Sequence, residues 1–178
     1  SKQNKEYILV HVSTPDYEGC LETGYAKAVE AVLTTLAGSP GSTVKNKPAG
    51  GLVNVLAGSH LTPADFMELR EIIESFGLKP IILPDLSALD GSRQGFSPLA
   101  VGGTTRDEIE MVKNADFTIA IGASMESAAR ILQRKFGIDY RIFESIAGLN
   151  DTDMFMETLS ILSGSRMPSK YDRQRRIL

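Results

Sequence analysis

Short runs of mostly aliphatic residues recur at Leu52–Ala57, 80–83, Phe117–Ile121 and Tyr140–Phe143, and stretches with helical periodicity separate them. Between the first two runs, Phe66, Leu69, Ile72, Ile73 and Phe76 share one helical face. Thr62 stands as the cap of that helix, with Pro63 at the first helical position and Asp65 in the first turn. Leu61 and Phe66 are spaced as a hydrophobic staple, and Gly77 is the stop. Further on, Thr105 and Glu108 have capping-box spacing for a helix reaching Lys113. Ser124 is expected to cap a helix ending at Gly137, and Asn150 one running to about Ser163. Strands that alternate with helices form a parallel sheet with right-handed crossovers. The expectation is a three-layer α/β/α, Rossmann-like domain over 52–163, with a four-stranded parallel sheet in order 2-1-3-4.

Ahead of this domain, the β-branched run 7–12 reads as a strand, and Leu21–Leu36 as an amphipathic helix stopped by Gly38. Residues 38–51 are rich in Gly, Ser, Pro and Lys and nearly lack large apolar side chains, which reads as a linker. On that reading, 1–37 is a strand–helix piece of a preceding domain, outside the sheet. From 164 to 178 the chain turns polar and basic. The connection 84–104 is long for a compact domain, and such connections either touch ligands or pack on partners. It holds Asp85, Asp90, Arg93 and Phe96, and ends in Gly102, Gly103 and Thr104.

The net charge of −3 gives no electrostatic footprint for nucleic acid or an anionic membrane. No apolar run approaches bilayer length, and the first residues show no apolar core of a signal peptide. A single cysteine, Cys20, excludes an intrachain disulfide and fits a reducing cytoplasm.

Residues 19–24 imitate the opening of a P-loop, but Tyr25 and Ala26 stand where Lys and Ser/Thr would meet phosphates, so nucleotide binding is rejected there. Free N–H groups after Gly122 suit an anion, yet Ser124 as a cap accounts for the same residues. Iron–sulfur clusters use four thiolates and zinc sites three or four ligands, whereas this chain has Cys20, His11 and His60 at unrelated spacings. No metal site within the chain alone is expected. His11 is expected as a hydrogen-bonded sheet residue and His60 as solvent-facing. Two readings of Cys20 stand: a small packed residue at a helix start, or a thiolate stabilised by that helix terminus. Asp16 suits a turn that accepts backbone N–H groups. No nucleophile–base pair is visible, and adjacency of Ser59 and His60 does not make one.

The run Ser13-Thr-Pro-Asp-Tyr-Glu-Gly-Cys20, then Glu22-Thr-Gly-Tyr-Ala-Lys-Ala-Val29, resembles the NifN branch of the nitrogenase component 1 family. Leu61-Thr-Pro-Ala-Asp65, Ile73-Glu-Ser-Phe-Gly-Leu78, Leu83-Pro-Asp-Leu-Ser87, Leu89-Asp-Gly91, Gly102-Gly-Thr-Thr105 and the closing Pro168, Tyr171, Gln174 and Arg175 follow in the same order. The resemblance implies a middle fragment of a longer subunit, with 164–178 leading to a further C-terminal domain. It implies a scaffold for assembling the nitrogenase iron–molybdenum cofactor, not an enzyme. It also implies a homologous NifE-like partner in a heterotetramer, which carries a [4Fe–4S] cluster and an iron–molybdenum cofactor precursor. The fragment alone is expected to hold no cofactor and to self-associate through an unpaired first segment. On this resemblance Asp16, Gly19 and Cys20 are candidates for a cluster-proximal partner interface, and Gly102, Gly103 and Thr104 for a functional loop. Alternatives are a catalytic nitrogenase MoFe β subunit, a vanadium-system scaffold homologue, or a small-molecule-binding α/β enzyme domain. Catalytic β subunits often carry Ser where Asp16 stands, which weighs against the first of these.

Overall fold

The computed structural model describes residues 8–15, 19–38, 51–89, 91, 102–175 and 177. Its principal elements are α1 (Leu21–Leu36), β1 (Leu52–Ala57), α2 (Pro63–Ser75), β2 (Lys79–Leu83), α3 (Arg106–Met111), β3 (Phe117–Ile121), α4 (Glu126–Phe136), β4 (Tyr140–Phe143), α5 (Leu149–Ser163) and α6 (Ser169–Arg175). The strands form one four-stranded sheet in order β2-β1-β3-β4, and every pairing is parallel. The expected order and architecture are those observed.

Alternation along β1 builds both faces of the core. Leu52 and Leu56 pack with Ile81, Leu83 and Ala120 under α1, α3 and α4. Val53, Val55 and Ala57 pack with Ile82, Ile119, Ile121 and Phe143 under α2, α5 and α6. All six β1 residues are buried, as both faces are covered. The layering obeys the crossover rule. The β1-to-β2 connection moves one way along the sheet with α2 on one face; the β2-to-β3 and β3-to-β4 connections move the other way, with α3 and α4 on the opposite face. Reversing direction while keeping the hand requires this change of face. Asn54, also buried, turns its amide to the α3 side, where Nδ2 donates to the Val112 carbonyl at 2.9 Å.

Thr62 and Thr105 cap α2 and α3 as expected, each in a reciprocal box with Asp65 or Glu108. Elsewhere the structure corrects the sequence reading. Residues 8–12 form no strand, and Tyr7 lies outside the described residues. β-Branched residues favour extended backbone, but a strand requires a partner ladder, and none of the sheet's strands pairs with this run. Ser124 does not cap α4: it lies in a 3-10 turn over Ala123–Met125, and its Oγ is buried without a partner among the described residues. Asn150 lies inside α5, whose N-cap is Gly148.

Nor is α1 separate from the sheet domain. Ala26, Val29 and Leu33 are buried in the same cluster as Leu52, Leu56 and α4 residues. The Tyr25 hydroxyl donates to the Ala57 carbonyl at 3.0 Å, and burial pushes its phenol up to about 12. Polarity of 38–51 suggested a boundary, but α1 supplies apolar cover that this face of a parallel sheet needs.

Truncating Leu33, the α1 side chain that is fully buried in the cluster with Leu52 and Leu56, tests this integration. Leu33→Ala is expected to lower the unfolding free energy of the whole domain by about 2–5 kcal/mol, with one cooperative transition. Urea denaturation followed by circular dichroism measures it. An unchanged midpoint would mean that α1 folds apart from the sheet.

Candidate functional site

Helix direction gathers the candidate residues at one end of the molecule. Ser127 of α4 bonds Glu30 of α1, and Lys135 bonds the Thr34 carbonyl at 3.1 Å, so α1 and α4 run side by side in the same sense. In a parallel α/β layer that sense puts helix N-termini at the carboxyl ends of the strands. The contact from Tyr25 to Ala57, the last residue of β1, agrees. Cys20, His60, Asp85, Thr104, Ser124 and Ser145 therefore all lie towards the edge where open α/β sheets place ligands. Each of α1 to α5 carries an acid in its first turn: Glu22, Asp65, Asp107 with Glu108, Glu126 and Asp151.

Cys20 is the N-cap residue of α1 and is exposed. Its backbone N–H donates to Thr23 Oγ1 at 3.4 Å, and its Sγ lies 3.6 Å from the same oxygen. The Thr23 backbone N–H, followed by the Thr23 hydroxyl and the Glu22 N–H, holds the thiol below its ordinary value, outweighing the Glu22 carboxylate. The packed-residue reading of Cys20 does not fit this exposure. Gly19 adopts φ +75°, and a Cβ there would sit 2.9 Å from Thr23 side-chain atoms. Only glycine lets the chain turn this tightly into α1. Asp16 lies outside the described residues.

Gly102, Gly103 and Thr104 belong to a second group. Thr104 Oγ1 donates to the Ile82 carbonyl at 2.6 Å and accepts from the Asp85 N–H at 3.0 Å. Asp85, 9% exposed, accepts from Arg70 Nη2 at 2.7 Å and from the Ser87 N–H at 2.9 Å. Ala88 packs so near Gly102 that a Cβ there would meet the Ala88 Cβ at 3.0 Å. The two ends of the 84–104 connection are thus clasped together over β2 and tied to α2. Asp90, Arg93 and Phe96 lie outside the described residues. Sequence reading placed Asp85 in this connection but found neither Arg70 nor its role, because the partners are 15 residues apart and follow no local motif. The Cys20 and Thr104 groups share no hydrogen bond among the described residues.

His11 is exposed beside α1, near Lys27 and Glu30, and is not the sheet residue expected. His60 is exposed as expected, with its ring against Gly58 and Gly122. Among the described residues, no group of three or more His, Cys, Asp or Glu side chains is arranged to hold a metal ion. A four-iron cluster needs four thiolates as a rule, and the chain supplies one, so its residues fit no more than a single ligand of a shared site. No helix among the described residues is long and apolar enough to cross a membrane.

The clasp sets a pH-dependent expectation. Burial would push the Asp85 carboxyl up, but the Ser87 hydroxyl and N–H and the Arg70 guanidinium together hold it below the usual carboxylate range. A depressed folded value means that the added stability is present at neutral pH and is lost as pH falls through that value. Asp85→Asn is expected to be destabilising at pH 7, with the gap to the parent closing below about pH 4. Thr104→Val, which leaves the Ile82 carbonyl and Asp85 N–H unpaired, is expected to cost about 1–3 kcal/mol. Denaturant midpoints across pH measure both; a constant gap for Asp85→Asn would remove the ion pair from the account.

The sequence profile of the nitrogenase component 1 type oxidoreductases matches residues 1–178. The chain is 46% identical over 169 residues to the nitrogenase iron-molybdenum cofactor biosynthesis protein NifN of Bradyrhizobium diazoefficiens, covering 94% of this chain and 36% of that protein. It is 42% identical over 172 residues to NifN of Nostoc sp., covering 96% of this chain and 37% of that protein. A solved structure described as nitrogenase Cp1 at pH 6.5 superposes with a TM-score of 0.83 at 28% identity, over 93% of this chain and 35% of that one. The chain spans little more than a third of the length of these relatives. With a profile match along its whole length and this fold, the chain belongs to the nitrogenase component 1 type oxidoreductase family.

Proposed function

We propose that the chain is the middle part of a NifN-type scaffold subunit on which the nitrogenase iron–molybdenum cofactor is assembled. The observation that carries this reading is the 46% identity to a NifN over 94% of the chain. Identity to the solved nitrogenase chain is lower, at 28%, which favours the scaffold over a catalytic MoFe β subunit. In this reading the chain performs no chemical step. It supplies a rigid α/β body and an interface, and the cofactor precursor is cargo of the assembled complex. The partner is a homologous NifE-like subunit in a heterotetramer in the cytoplasm.

The residues that lead into α1, Asp16, Gly19 and Cys20, are the part of the interface nearest a shared [4Fe–4S] cluster. Exposure of Cys20 and its hydrogen bonds at the start of α1 support that role. The isolated chain lacks enough thiols to build such a cluster by itself.

Rescue chemistry separates scaffold from catalyst. Disrupting the gene in a nitrogen-fixing host is expected to leave a cofactor-free nitrogenase that regains acetylene reduction when finished cofactor is added to the extract. No recovery would identify a catalytic subunit and sink the proposal. Labelling tests the interface separately. Iodoacetamide is expected to alkylate Cys20 readily in the chain alone, more slowly in Thr23→Val, and much more slowly once the partner subunit is bound. Equal rates with and without partner would take Cys20 out of the interface.

A further inference from the structure

Arg141 lies on β4, at one end of the strand order, and its guanidinium is held on several sides. Nη1 donates to Thr158 Oγ1 at 3.0 Å, and the guanidinium carbon stands 5.3 Å from the centre of the Phe143 ring. These supports are themselves fixed. The Thr158 hydroxyl donates to the Met154 carbonyl at 2.7 Å, and Phe143 meets Phe155 edge-on with centroids 5.6 Å apart. The guanidinium so placed points Nη2 at Met154 Sδ, 3.9 Å away. Thr158 is buried, whereas Met154 is 40% exposed on α5.

Donor and acceptor are unequal in this contact. A guanidinium N–H is a strong, charged donor, and a thioether sulfur is a weak acceptor. An oxygen added to that sulfur on the side facing Nη2 brings the gap into the range of a charge-assisted N–H···O bond. In a core, a sulfoxide is disruptive, because its polar oxygen enters apolar surroundings. Here the sulfur stands at the surface beside a pre-positioned cation. The unbranched methionine side chain also lets the sulfur swing out to meet an oxidant and return.

We infer that Met154 is a reversible oxidation site, converted to the sulfoxide by a peroxide, and that Arg141 takes the new oxygen. In that step the peroxide O–O bond breaks and one oxygen bonds to sulfur. The sulfur gives up two electrons to the peroxide, and the other oxygen leaves as water with both protons. The product ties α5 to β4 through a charge-assisted hydrogen bond where the thioether made a weak contact. The chain thereby consumes oxidant without loosening its fold, and a methionine sulfoxide reductase restores the thioether. This inference does not depend on the scaffold reading, since it concerns side chains within one chain.

Peroxide treatment with a site-resolved readout tests it. The 178-residue chain is exposed to hydrogen peroxide beside Met154→Leu and Arg141→Lys, the latter keeping the charge but lacking the guanidinium fork. Peptide mapping by mass spectrometry is expected to find one added oxygen at Met154 as early as at Met67, which is 49% exposed on α2. Oxidation is expected to slow amide exchange across β4 severalfold in the parent, to leave Met154→Leu unchanged, and to speed exchange in Arg141→Lys. Faster exchange in the oxidised parent would overturn the proposal, and so would a Met154 that stays reduced while Met67 oxidises. The two methionine sulfoxide reductases, one for each epimer, give a second measurement. One epimer at Met154 is expected to be reduced about tenfold more slowly in the parent than in Arg141→Lys, the effect of one hydrogen bond to a charged group. Equal rates would also overturn it.

Discussion

Strand β1 is hydrogen-bonded along both edges, to β2 and to β3, and covered on both faces. Water reaches none of its peptide groups, so each must find a protein partner. This double enclosure dictates the rest. Helices must cover both faces, which sets the three layers. Chain segments must leave β1 and β3 in opposite directions, which opens the crevice at the reversal. The face carrying Leu52 and Leu56 also needs more cover than α3 and α4 provide, and α1 meets that need.

The carboxyl edge of the sheet is built from three local devices that act independently. A glycine and a threonine fix the entry to α1 around Cys20. A buried carboxylate and a threonine hydroxyl close the base of the 84–104 connection. The His60 imidazole packs on Gly58 and Gly122 just beyond the ends of β1 and β3. Each holds backbone through side-chain contacts among the described residues. A fixed shape at these points suits the scaffold reading proposed above.

Much of the fold was legible because its signals are local. Strand runs, the caps at Thr62 and Thr105, and the order of strands followed from neighbours in sequence. What escaped depended on distant contacts or on subtle turns. Ser124 has the residue type of a cap, yet a 3-10 turn moves the start of α4 beyond it. Asn150 was displaced by Gly148, whose positive φ lets the chain enter α5 earlier. The run 8–12 has strand-like composition without a ladder. Arg70 looks like any exposed helix residue until β2 brings Asp85 beside it. At the candidate site, the position of Cys20 at a helix start could be read from sequence, whereas its hydrogen bonds and exposure could not.

The acids in the first turns of α1 to α5 have an effect at a distance as well as within each helix. Aligned helix N-termini alone would make this edge a positive pole. Glu22, Asp65, Asp107, Glu108, Glu126 and Asp151 each set a full negative charge against a terminus worth about half a positive one, so the pole is reversed in sign. What remains is screened further by salt within about 8–10 Å. An approaching macromolecule therefore meets a negative contribution from these helix starts, felt at short range. For a polypeptide arriving at this edge, the contribution of these acids favours basic surfaces over anionic ones, and salt weakens that preference.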